Sequence, residues 1–320
     1  MKIEAFGVEQ WMNAWETKCT YNVAETCVES ITVEELLKMA GVTPEQMTKN
    51  LLAKKLTYGW IEGSERVRSL IAGLYEKQKP ENILTTHGCI GANMLVHRTL
   101  VEPGDHVISV IPTYQQHYSI PESIGAHIET LRLKPENGFL PDLNELKAMV
   151  KPDTKLICIN NPNNPTGALM DQALLEGICE IARSVGAWVL CDEVYRGLTQ
   201  DDGYSVSVAD LYEKGISTGS MSKVFSLAGL RYGWIAAPVE LINRVMHQRD
   251  YDTISVGMLD EYFTELALTA KENILTRNRA IIRENLEILD AWVQSEPRLS
   301  YVKPKAGTTA FVKVETKLSS

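Results

Sequence analysis

The sequence predicts an α/β fold: a three-layer αβα large domain on a mainly parallel sheet, with a smaller α+β domain beside it. Three observations predict it. Apolar runs such as Leu156-Ile157-Cys158-Ile159 and Trp188-Val189-Leu190-Cys191 are continuous, as strands covered on both faces require. A helical pattern, Asp171 to Val185, separates those two runs, and strand–helix–strand alternation continues from about residue 83 to 236. The strands end in loops rich in Gly, Pro and Asn, such as Asn160-Asn161-Pro162-Asn163-Asn164-Pro165-Thr166-Gly167. At 320 residues the chain has room for roughly two domains. The boundaries read as 40–275 for the large unit, with 1–39 and 276–320 forming the small one.

The elements follow in order. Glu9 to Glu16 reads as a short helix, Tyr21 to Cys27 as an extended or strand-like piece, and Val33 to Ala40 as a helix capped by Thr32. Tyr58 to Gly63 is a tight turn ahead of a helix from Ser64 to Ala72. Ile83 to Thr86 reads as a strand that enters His87-Gly88-Cys89-Ile90-Gly91-Ala92-Asn93, with a helix to Leu100. His106 to Ile111 is a strand, closed by Pro112-Thr113-Tyr114. After the two continuous runs come short strands at Ile216 to Gly219 and Tyr232 to Ala236, then a helix from Val239 to Gln248. Arg277 to Val293 has helical periodicity, and Pro304-Lys305-Ala306-Gly307 breaks it before a strand from Thr309 to Val314.

Composition narrows the partners. The chain is 44% hydrophobic and 23% charged, enough for a real core, and its net charge of −9 gives no basic excess to neutralise nucleic-acid phosphates. No apolar run is long enough for a membrane span, and the N-terminus has no signal-peptide core, so a cytoplasmic location is expected. The six cysteines lack C-x-x-C spacing and several sit in apolar runs, which points to buried thiols. The six histidines show no H-x-x-x-H pair, so no metal site is expected. No G-x-G-x-x-G or G-x-x-x-x-G-K occurs, which removes support for dinucleotide and Walker-type sites.

Chemistry concentrates in Ser220-Met221-Ser222-Lys223-Val224-Phe225-Ser226-Leu227-Ala228-Gly229-Leu230-Arg231. A lysine among small residues can be desolvated, which lowers its pKa and frees a nucleophilic amine for a Schiff base with an aldehyde. The serines and Arg231 are groups that a phosphate needs. Aldehyde plus phosphate suggests pyridoxal 5'-phosphate (PLP). Taken alone, the window favours a surface lysine in a serine-rich loop. The backbone N–H groups of the turn at Cys89 and Ile90 form an anion site if a helix starts there. Asp192 follows a buried strand, where a carboxylate needs a partner; a cationic ring nitrogen or a plain salt bridge would serve. Tyr114 at a strand end can stack on a flat ring or simply pack.

In combination and in this order, Asn-Pro-x-Asn-Pro-Thr-Gly, Asp-Glu-Val-Tyr, and Ser-x-Ser-Lys with an arginine eight residues later resemble the class I/II aminotransferases, which are fold-type-I PLP enzymes. The resemblance runs from about Tyr58 to Gly307. It implies that Lys223 forms the Schiff base and shuttles the substrate's α-proton. Asp192 pairs with the pyridine nitrogen, Asn164 and Tyr195 bind the ring's phenolic oxygen, and Tyr114 stacks on the ring. Cys89, Ile90, Ser220, Ser222 and Arg231 hold the phosphate. Tyr58 reaches the cofactor of a neighbouring subunit, which implies a homodimer. The implied reaction passes an amino group from an amino acid to a 2-oxo acid. A carbon–sulfur β-lyase or a cyclising or eliminating synthase of the same fold is the alternative, and a catalytically idle relative is a third reading that Lys223 and Asp192 argue against. Two departures stand out. The N-terminal turn that contacts substrate in the family reads Val23-Ala24-Glu25-Thr26-Cys27, without glycine. No counterpart of the arginine that binds the substrate carboxylate is visible before Ser320, so a truncated C-terminus is expected.

Overall fold

The computed structural model describes residues 2–317; Met1 and residues 318–320, the ends of the expected small unit, lie outside the described residues. Helix α1 (Gly7–Trp15) buries no side chain. Helix α2 (Val33–Ala40) starts on a reciprocal capping box, in which the Thr32 hydroxyl accepts from the Glu35 N–H and the Glu35 carboxylate accepts from the Thr32 N–H. The Tyr21–Cys27 stretch lies in no strand. Helices α3 (Pro44–Leu52) and α4 (Glu65–Ala72) follow, each also capped by a hydroxyl side chain, Thr43 and Ser64.

The central alternation is β1 (Ile83–His87), α5 (Gly88–Leu100), β2 (His106–Ile111), α6 (Gln116–Ile124), β3 (His127–Arg132), α7 (Leu143–Met149) and β4 (Thr154–Asn160). It continues through α8 (Gln172–Val185), β5 (Trp188–Asp192), α9 (Val208–Leu211), β6 (Gly215–Ser220) and β7 (Tyr232–Ala236). The chain then runs through α10 (Val239–Arg249), α11 (Met258–Thr269), α12 (Lys271–Ser295), β8 (Leu299–Ser300) and β9 (Lys313–Val314).

The seven-stranded sheet has the order β1-β7-β6-β5-β4-β2-β3. Strands β3, β2, β4, β5 and β6 are parallel neighbours, and β7 runs antiparallel between β6 and β1. The period of two decides which helices cover which face. Leu156, Cys158 and Leu190 pack with Ala92, Val96 and Leu241 of α5 and α10. Their neighbours Ile157, Ile159 and Val189 pack on the other face with Leu146 of α7 and with Leu175 and Ile178 of α8. Both faces are therefore covered, as the continuous apolar runs required. A third cluster joins α2, α4 and α12 to Trp234 and Phe225.

The expected strand from Thr309 to Val314 is shorter than predicted. Only Lys313 and Val314 pair, because β8 offers only Leu299 and Ser300 as ladder partners. Thr308, just upstream, turns its hydroxyl to donate to the Thr26 carbonyl at 2.6 Å.

Candidate active site

The C-terminal ends of the parallel strands open onto one cavity of about 380 Å³, the edge where open α/β sheets present side chains to ligands. β2 leads to Tyr114, β4 to Asn160 and Asn164, β5 to Asp192 and Tyr195, and β6 to Ser220, Ser222 and Lys223. Helix α5 adds Cys89 and Ile90, and the turn before β7 adds Arg231. Every residue predicted for the site lines this cavity except Tyr58. That side chain is 73% exposed and lies in a separate surface cleft with Leu56, His87 and Met258.

The floor is Asp192, buried at the end of β5. Its Oδ2 accepts from Asn93 Nδ2 at 2.8 Å, and its Oδ1 accepts from the Val194 N–H at 3.0 Å and from the Cys89 thiol at 3.5 Å. His117 Nε2 stands 3.5 Å from Oδ2. Burial alone would raise this carboxyl's pKa, but His117, the Asn93 amide and the Val194 N–H together hold it below the usual aspartate value. Asn93 is itself fixed, since its Oδ1 accepts from the Thr218 hydroxyl at 2.7 Å. The result is a buried carboxylate that its donors hold charged at the edge of the cavity.

One end of the cavity has the donors to hold an anion. The first turn of α5 offers N–H groups with no helical partner. Gly88 has φ +67°, and a Cβ there would stand 2.9 Å from Arg231 Nη2. A Cβ on Gly233 would stand 2.7 Å from the Cys89 backbone nitrogen. Both glycines thus let β7 and the guanidinium close against the helix start. Arg231 itself has φ +50°, a costly conformation for a residue with a Cβ, and its Nη1 donates to the Ala228 carbonyl at 2.9 Å.

Lys223 faces the N-terminal segment. Its Nζ donates to Thr26 Oγ1 at 2.6 Å and to Cys27 Sγ at 3.1 Å. The lowered lysine pKa expected from the sequence is not found. Burial does pull it down, but Tyr195, Cys27 and Glu25 outweigh burial, so the free amine titrates above the ordinary lysine value. Burial in turn pushes the Tyr195 and Cys27 groups up, with Lys223 opposing it.

Sequence reasoning missed Asn93, His117, Thr26 as a lysine partner, and Glu9, whose Oε1 accepts from the Tyr114 hydroxyl at 2.9 Å. Asn93 carried a faint signal, being a polar residue among the mostly apolar buried positions of α5; His117 carried none, since Gln116 and Ser119 are buried beside it on α6. Glu9 carried none, because its contact depends on how α1 docks. All six cysteines are free, four of them buried, as expected. His97, His117 and Cys158 form a buried group behind Asp192, with ligating atoms within 4.8 Å of one another. The spacing of these residues in sequence had given no hint of it.

The family model for aminotransferase class I and II matches residues 35–318. The chain belongs to this family. A PLP-dependent aminotransferase from Streptococcus suis 89-1591 is 47% identical, superposes with a TM-score of 0.96, and is matched over 99% of this chain and 84% of its own. Capreomycidine synthase of Streptomyces vinaceus is 28% identical over 311 residues, 97% of this chain and 79% of that protein. The aspartate aminotransferase of Pyrococcus horikoshii is 27% identical over 282 residues, 84% of this chain and 72% of that protein. As a member of the class I and II family, this chain has the fold-type-I architecture predicted from its motifs.

Proposed function

We propose that this protein is a PLP-dependent aminotransferase that passes the amino group of an amino acid to a 2-oxo acid. One observation carries the reading: an amine, a buried charged carboxylate and an anion cup open onto the same cavity. The donor set suits the cofactor. The α5 N-terminus, Ser220, Ser222 and Arg231 match a phosphate, and the two glycines leave room for it. Asp192 suits a protonated ring nitrogen, since a carboxylate held charged in a buried place favours a cation beside it. When bound, PLP supplies the electron sink for the charge left when a substrate's α-hydrogen departs.

The chain's own groups do the rest. Lys223 Nζ would hold the cofactor's aldehyde and would hold or move the proton at the substrate α-carbon. Asp192 would pair with a protonated ring nitrogen, with Asn93 and His117 holding the carboxylate in place. Asn164 and Tyr195 would bind the phenolic oxygen, and Tyr114 would stack on the ring. Tyr58, exposed and outside the cavity, fits a role in the site of a second copy, so a homodimer belongs to the same reading. So does the division into a large unit, 40–275, and a small one, 1–39 with 276–320.

A cyclising synthase is the second reading, supported by the alignment to capreomycidine synthase over 97% of the chain. Absorbance of PLP-loaded protein against a panel of amino acids, with keto acid and ammonia assayed alongside, separates the two. Conversion to pyridoxamine phosphate with keto acid and no ammonia is expected. Release of ammonia or of a cyclised product instead favours the synthase.

A further inference from the structure

The cavity has one carboxylate that the proposed chemistry does not use. Glu9, on α1, lines it beside Tyr114. Its one hydrogen bond in the structure comes from a neutral donor, the Tyr114 hydroxyl at 2.9 Å, and no cation stands in ion-pair range of it among the described residues. Burial, and then the Glu9 charge, push the Tyr114 hydroxyl far up, so it stays a donor to the carboxylate. Asp192 is the other acid in the lining, and its oxygens are engaged by Asn93, Val194 and Cys89. The basic groups there are Lys223 and Arg231, which the proposed function assigns to the aldehyde and the phosphate. A half-buried carboxylate with spare acceptor capacity, facing a substrate-sized space, selects a cation that can donate two hydrogen bonds.

We infer that Glu9 is the specificity-determining residue of this site and that it selects amino acids with a cationic side chain, guanidinium above ammonium. The inference rests on the aminotransferase reading and sharpens it. The Tyr114 hydroxyl orients the carboxylate, and α1 delivers it without taking part in proton transfer.

The test uses PLP-loaded full-length protein with two matched pairs of amino acids, arginine against citrulline and lysine against norleucine, plus alanine and aspartate. Citrulline keeps the shape of arginine and loses its charge. The expected kcat/KM ratio of arginine to citrulline is roughly 10- to 100-fold, the discrimination of one charge-assisted contact. Glu9→Gln, which keeps size and hydrogen bonding, should collapse that ratio towards one, and Glu9→Lys should reverse it in favour of aspartate. Arginine quenching of Trp11 and Trp15 fluorescence on α1, absent with citrulline, gives a binding readout independent of turnover. Equal rates for arginine and citrulline, or a ratio that survives Glu9→Gln, overturns the inference and leaves the aminotransferase reading intact. No spectral response to any amino acid in the panel overturns the aminotransferase reading itself.

Discussion

The cavity has two sides built on opposite principles. Its floor is made at the ends of sheet strands and on α5, from polar groups that are almost wholly buried and bonded to one another. Asp192, Asn93, Thr218 and His117 are each at most 4% exposed. Its roof comes from the N-terminal segment. There α1 buries no side chain, Trp11 and Trp15 are more than half exposed, and the attachment is a few contacts. Among them are the Gly7 N–H to Gln115 Oε1 at 2.9 Å, Gln115 Nε2 to the Ala5 carbonyl at 3.0 Å, the Tyr114–Glu9 bond, and Phe6 against the Tyr114 ring at 4.8 Å. The difference separates two tasks. Groups that tune a reaction have to be preorganised in a dry place, where moving them is expensive. Groups that choose a substrate can sit on a lightly held element, which can change without disturbing the core.

The largest expected effect lies where floor and roof meet. Lys223→Ala should lower turnover by on the order of 10⁴-fold while leaving non-covalent cofactor binding, measured by absorbance and steady-state rate. Near-normal turnover would break the assignment at its centre. Asp192→Ala should cost on the order of 10³-fold in kcat, because the ring nitrogen loses its counter-charge. A small loss there would mean that another group keeps the nitrogen protonated.

Next comes the floor's own stability. Asn93→Leu removes a donor from a buried charge and should destabilise the fold by about 1–3 kcal/mol in denaturant unfolding. A neutral result would mean that the floor is not the preorganised side. His97 sharpens the same point through pH. Burial, and then the nearby His117, hold its pKa well below the ordinary 6.5, so the folded protein keeps it neutral. Below pH 6.5 the unfolded chain takes up a proton that the folded protein refuses. Stability should therefore fall on acidification, by about 1.4 kcal/mol per pH unit for this one group. His97→Phe should flatten that slope between pH 6.5 and 5.5, read from unfolding midpoints. An unchanged slope would assign the acid sensitivity elsewhere. The smallest effect belongs to the roof: Trp11→Ala should change stability by no more than about 0.5 kcal/mol. A loss several times larger would erase the contrast between the two sides.

Much of this was legible in the sequence, for a definite reason. Asp192, Asn164, Tyr114 and Lys223 follow continuous apolar runs or short strands, and in a parallel sheet those strand ends meet at one edge. Strand order need not be known to bring them together. The charge state of Lys223 was not legible, because it depends on Tyr195, Cys27 and Glu25, which come from distant stretches of chain. Asn93 and His117 act from buried faces of helices, where a polar residue reads first as an oddity of packing. The antiparallel placement of β7 was hidden as well, since Tyr232 to Ala236 reads as a strand whichever way it runs.

That reversal of β7 has a consequence for how the protein assembles. The β1–β7 register sets His87 opposite Tyr232, so the residue that leaves β1 and the residue that enters β7 come side by side. Gly88 and Arg231 are those residues, and together they form the anion cup. The two halves of the cup are thus synthesised far apart and become neighbours only when the last strand of the sheet has slotted between two others in the correct frame. A slip of one residue would turn Arg231 away from the helix start. An anion that bound both halves would therefore stabilise only a chain whose sheet is finished and in register, and not one that is partly built.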